Sequence, residues 1–91
     1  MEGIIHIRID DRLIHGQVAT MWTNELGATR IMVINDEVAN NDMQKSLLRM
    51  AAPPNVSTSI ITKETAVKNI SEGKYKGQKV FIVVKSPLDI L

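Results

Sequence analysis

Residues 8–18, RIDDRLIHGQV, place Asp10, Asp11, Arg8, Arg12 and His15 within eleven positions, on a stretch with neither clean strand nor clean helix periodicity. An imidazole beside a bound anion has two chemical uses. It acts as a general acid, or it is the nucleophile that takes a phosphoryl group onto nitrogen. Both uses need the same neighbours. Arg12, three residues before His15, can hold phosphoryl oxygens bidentately and offset their charge. Asp10 or Asp11 can orient Arg12 or hold the second imidazole nitrogen, which decides which nitrogen reacts. Gly16 lets a ligand approach the backbone closely, and a helix starting at His15 would add unpaired N–H groups and a favourable dipole. Each residue also has a plainer role: a histidine near a helix start is commonly a cap or a hydrogen-bonded surface group.

The elements that must position this loop follow from periodicity. Residues 3–9 alternate, with Ile5, Ile7 and Ile9 on one face and Ile4, His6 and Arg8 on the other, so they predict a strand in which His6 is a packed or half-exposed structural group. From Gly16 to Leu26 the residues Val18, Met21, Trp22 and Leu26 recur at helical spacing, and Gly27 supplies the left-handed residue that closes a helix. RIMVIN, residues 30–35, is a continuous apolar run of the kind buried on both faces of a parallel sheet, with Asn35, Asp36 and Glu37 at its polar carboxyl end.

A helix starting at Asn41 or Asp42 is expected to bury Met43, Leu47, Met50 and Ala51 and to stop at Pro53 and Pro54. A third strand follows at 56–62. Thr62 then caps a helix carrying Ala66, Val67 and Ile70 inward and ending at Gly73, with residues 74–78 as a solvated turn. KVFIVV, residues 79–84, is the fourth strand, and Ser86, Pro87 and Asp89 mark the N-cap, N1 and N3 of another helix.

Alternating strands and helices with right-handed crossovers make an α/β fold, a mainly parallel, Rossmann-like open sheet with helices on both faces. All strand carboxyl ends then lie on one edge, where ligands bind. That edge collects Asp10, Asp11, Arg12 and His15, then Asn35 and Asp36, then Thr62, then Lys85 and Ser86. Lys85 is either a solvated strand end or a phosphate contact. There is no glycine-rich nucleotide fingerprint, and two distant histidines with scattered carboxylates make a poor metal site, so neither a metal nor a cofactor is expected.

Composition narrows the partners. The 91 residues allow one small domain, which buries about 60 to 65% of its unfolded surface. A net charge of +1 and three aromatic residues argue against nucleic acid or an anionic membrane as the partner. No cysteine is present, so the fold holds by packing, and a cytoplasmic location is expected. No signal peptide or membrane-length apolar run is evident. The helix start at Ser86, cut short after a few residues, suggests the front part of a longer domain. A strand edge left uncovered there would recruit other chains, making a homo-oligomer one expected partner.

RIDDRLIHGQV closely resembles the phosphorylation-site segment of the IIB components of the mannose, fructose and sorbose family of the bacterial sugar phosphotransferase system. INDEVANNDMQKSLLRMAAP resembles that family's second strand and helix, and VFIVVKSPLDIL a later strand and helix start. The resemblance thus runs through residues 1–91 as one IIB sorbose-type domain, whose family form is nearly twice this length. It implies a cytoplasmic phosphocarrier and sugar phosphotransferase that takes phosphate from a phosphohistidine on a IIA partner and gives it to a sugar entering through IIC and IID membrane partners. Carried over by position, His15 is the phosphoacceptor through Nδ1, Arg12 the phosphate clamp and Asp10 the residue that orients the loop. Two other roles remain open: an anion-binding or regulatory fragment that transfers nothing, and a phosphatase using His15 transiently.

Charge-assisted contacts of the kind assigned to Arg12 are worth about 1.5 to 3 kcal/mol, or roughly ten- to a hundredfold in rate when made in the transition state. Arg12→Ala should slow phosphorylation by that factor with little change in melting temperature. Equal initial labelling rates for variant and parent would remove Arg12 from the site.

Overall fold

The computed structural model describes residues 3–9, 25, 27–53, 56–86 and 88. Four strands, β1 (Ile4–Ile9), β2 (Arg30–Ile34), β3 (Ser57–Ile61) and β4 (Val80–Val84), form one sheet in the order β1-β4-β2-β3, and every pairing is parallel. Three helices are described: α1 (Asp36–Ala39), α2 (Asp42–Ala51) and α3 (Lys63–Ser71).

The order explains where the helices lie. The chain moves outward from β2 to β3 and then back across β2 to β4, and right-handed crossovers in opposite directions place their helices on opposite faces. Two apolar layers result. Ile31, Val33, Ile60, Phe81 and Val83 meet Val38 of α1 and Leu48 and Ala51 of α2 on one face. Met32, Ile34, Val80, Ile82 and Val84 meet Ala66 and Ile70 of α3 and Tyr75 on the other. The continuous apolar runs in β2 and β4 follow directly, since a strand covered on both faces has no polar side.

Several expectations are corrected. In β1 the register shifts between Ile4 and His6, a bulge that puts Ile4 and Ile7 against the same layer and leaves Ile5 and Ile9 exposed, so strict alternation fails. His6 packs edge-on against Phe81 with ring centroids 5.5 Å apart, as a structural histidine does. The four-residue helix α1 was not expected. In α2 Ala51 packs on the core as expected, but Met43, Leu47 and Met50 are exposed, and Leu48, with Ala52 just past the helix, makes the remaining core contact. In α3 Ala66 and Ile70 point inward but Val67 is 58% exposed. For both helices the inward face is set by the crossover that brings the helix down on the sheet, and small residues allow the closer approach. The helix expected from Gly16 lies outside the described residues except at Glu25, and so does most of the one announced by Ser86. Gly27 has the left-handed φ of +66° expected of a closing residue. The edge strands of the described sheet are β1 and β3, not β4, all five of whose residues are buried.

The 74–78 turn is also more than a solvated link. Gly73, at φ +68°, ends α3 with two backbone bonds, its own N–H to Ile70 O and that of Lys74 to Asn69 O, the paired arrangement of a Schellman cap. Tyr75 then turns inward, is buried, and its hydroxyl accepts a hydrogen bond from Asn69 Nδ2 at 3.1 Å. Gly3 passes directly over it. Its φ is +86°, its carbonyl accepts from Val80 N at 2.7 Å, and a methyl group there would overlap the Tyr75 carbonyl.

Gly3→Ala should therefore cost about 1 to 3 kcal/mol through positive-φ strain and the backbone clash together. A urea midpoint that falls at constant slope would register it; an unmoved midpoint would mean that the start of β1 is not held against the Tyr75 turn.

Candidate functional site at the carboxyl edge of the sheet

Register makes the edge level. Ile9 pairs with Val84, Val84 with Ile34, and Ile34 with Ile61, so all four strands end in one row. The chain therefore leaves β1 beside Lys85, and Asn35 and Thr62 continue the row. Asp10, Arg12, His15 and Gly16 lie outside the described residues. Their attachment point does not: it is Ile9, next to the central strand. Lys85 is exposed at the end of β4, and Ser86 follows it half-buried.

The far half of this edge is held together by caps. Asn35 Oδ1 accepts from Val38 N at 2.9 Å, closing the start of α1, while its own N–H donates to Ile61 O at 3.1 Å. Asn41 Oδ1 accepts from Gln44 N at 3.0 Å at the start of α2. Thr62 Oγ1 accepts from Thr65 N at 3.1 Å at the start of α3, as its sequence position predicted. A second acceptor at α3 comes from another element. Asp36 Oδ1 receives the Lys63 N–H at 2.7 Å, so a carboxylate following β2 sits at the positive end of the helix following β3. Lys63 Nζ in turn reaches Leu88 O at a long 3.4 Å, linking that helix start to the segment after β4.

Each described helix start is thus already supplied with a side-chain acceptor from this protein. Lys85 lies beside the point where the chain leaves β1. Asp36 as a cross-element cap was not legible in the sequence, where it stood simply as a polar strand end. The signal that was present is Asn35 followed by two acidic residues, which is also how a helix begins. Among the described residues there is no group of three or more histidine, aspartate or glutamate side chains that could hold a metal ion.

Comparison with known proteins settles the kinship. Residues 4–91 match the family described as PTS system sorbose subfamily IIB component. The chain belongs to that family. The sorbose-specific EIIB component of Klebsiella pneumoniae is 43% identical over 84 residues, spanning 92% of this chain and 51% of that protein. The mannose-specific EIIAB component of Escherichia coli K12 is 43% identical over 83 residues, spanning 91% of this chain and 26% of that protein. Among solved structures, the IIBSor domain of the Klebsiella pneumoniae sorbose permease superposes with a TM-score of 0.89 at 41% identity, covering 99% of this chain and 55% of that one. The structure of manxB from Thermoanaerobacter tengcongensis gives 0.89 at 38% identity, with 98% and 54% covered.

The open parallel sheet is therefore the IIB architecture, and the family match includes the whole of RIDDRLIHGQV as well as Lys85. The chain spans about half the length of the sorbose-specific relatives it matches, and a smaller part of the EIIAB proteins, whose names carry a IIA component as well. No described helix is long and apolar enough to cross a membrane.

Asp36→Ala should lower stability by about 1 kcal/mol, the usual cost of a lost helix-start acceptor, and Asp36→Asn should lower it less, since an oxygen acceptor remains. Thermal unfolding of the two variants checks this. An equal loss for both would show that carboxylate charge, rather than the hydrogen bond to Lys63, is what matters.

Proposed function

We propose that this chain is a cytoplasmic phosphocarrier of a sugar phosphotransferase system, with His15 as the acceptor. The observation that supports this is that, in a chain matching the IIB family over residues 4–91, the 8–18 segment leaves the sheet at the carboxyl end of β1, beside the buried strand β4 and Lys85, on the edge where the described helix starts are capped. In the first step an imidazole nitrogen of His15 attacks phosphorus on a phosphohistidine of the IIA partner. A new N–P bond forms as the donor's N–P bond breaks, and the donor imidazole leaves. In the second, a hydroxyl of a sugar entering through the IIC and IID partners attacks the same phosphorus; an O–P bond forms as the His15 N–P bond breaks, and the hydroxyl proton ends on the departing His15 imidazole.

Arg12 clamps the phosphoryl oxygens through both steps, Gly16 offers backbone close to them, and Lys85 adds charge from the neighbouring strand end. Asp10 orients the loop. His6 takes no part, because its ring is packed on Phe81 within the sheet layer. The transfer is a transferase reaction, and these residues perform it by positioning and charge alone.

Incubation with a radiolabelled phospho-IIA protein tests the proposal. The parent chain should acquire one acid-labile, base-stable phosphoryl group per molecule, His6→Ala should retain it and His15→Ala should lose it. An anion-binding fragment would take up no label, and a phosphatase would release inorganic phosphate continuously. A label that survives in acid or in His15→Ala would overturn the assignment.

A further inference from the structure

Lys63 reaches two other strand ends at once. It is the first residue of α3, and its backbone N–H donates to Asp36 Oδ1 at 2.7 Å, which fixes its place beside the end of β2. Its ammonium goes elsewhere: Nζ donates to Leu88 O at 3.4 Å, in the segment after β4. The side chain is half-buried along the edge, whereas Lys68 on the same helix is exposed. Thr62 Oγ1 and Asp36 Oδ1 already supply the start of α3 with side-chain acceptors. The ammonium contact is therefore additional to the cap, and a substitution that keeps the backbone N–H separates the two.

The segment that the ammonium grips carries Lys85. Parallel pairing with Ile9 and Ile34 fixes Val84, just before Lys85, and the Lys63 bond holds Leu88 on the other side of it. Lys85 and Ser86 are thus held from both ends, next to the point where the 8–18 segment leaves β1. A lysine acts on a phosphoryl group as a point charge on a flexible stem, so its effect depends on where its backbone is held. Releasing one end lets the span sample more conformations, and fewer of them place the charge usefully.

We propose that Lys63 is a positioning residue for phosphoryl acceptance: by holding Leu88 it fixes the span that carries Lys85 beside the exit of β1. This rests on the phosphocarrier reading above and on the part Lys85 takes in it. Lys63 acts through Lys85 and touches no reacting atom.

Two measurements on the 91-residue chain test it. In nitrogen-15 relaxation, Lys63→Met should lower the backbone order parameters of Lys85 and Leu88 towards the flexible range, below about 0.6, and Lys63→Arg, which still donates, should keep the parent values. In labelling by phospho-IIA, Lys63→Met should lower the rate at saturating donor about two- to fivefold, as fits an exposed charged contact, with KM and melting temperature little changed. Lys63→Arg should recover that rate. In a Lys85→Met background Lys63→Met should change nothing further, because the group it positions is gone. Unaltered order parameters, failure of the arginine to recover the rate, or an equal loss in both backgrounds would overturn the proposal, the last by showing that Lys63 meets the phosphoryl group or its donor directly. A parent chain that takes no label removes the carrier reading and the reaction with it, whereas the relaxation comparison reads the Lys63 tether itself and so tells the two failures apart.

Discussion

The parallel ladder that seats β4 between β1 and β2 is the constraint on which the other features rest. Its five residues are buried on both faces, and through Val84 it aligns the ends of β1 and β2 in one row. Because β4 comes last of the four in the chain, the connection from β3 must return across β2 to reach its place. That return sends α3 to the face opposite α1 and α2. It also brings Lys85, more than seventy residues from Ile9 along the chain, to the point where the 8–18 segment leaves the sheet.

A sheet assembled in this way needs its connections fixed at both ends. At the amino edge, Thr29 N–H donates to Lys79 O while Thr29 Oγ1 accepts from Lys79 N–H, and Arg30 spans the sheet by donating from Nε to Gln78 Oε1 and from Nη1 to Ser59 Oγ. Gly3 and Tyr75 close the same end beneath β1. At the carboxyl edge, Asn35, Asp36, Asn41 and Thr62 bind backbone N–H groups that would otherwise point towards solvent. The two ends are built for different purposes. One is locked by contacts between strands and turns, whereas the other supplies side-chain acceptors to its described helix starts.

The sequence was most legible where a residue's role is set by its immediate neighbours. Thr62 as a helix cap, Gly27 and Gly73 in left-handed conformations, and the doubly buried runs of β2 and β4 all follow from local chemistry or from periodicity. It was least legible where an apolar residue had to choose a side. Met43, Leu47, Met50 and Val67 were expected inward, and helical spacing alone cannot tell a stripe that packs on the sheet from one that faces away. The bulge in β1 belongs with these, since it depends on pairing with a strand more than seventy positions later.

What the sequence by itself determined is the ionisable character of the 8–18 segment, the alternation of strands and helices, and the family to which they belong. Those depend on residue identity and short-range order, which survive in a linear string. What only the tertiary structure decided is strand order, the face each helix presents and the tie between Asp36 and Lys63. Each of these is a contact between residues far apart in the chain, made favourable by burying apolar surface and satisfying backbone groups together, and neither partner carries a local mark of the other.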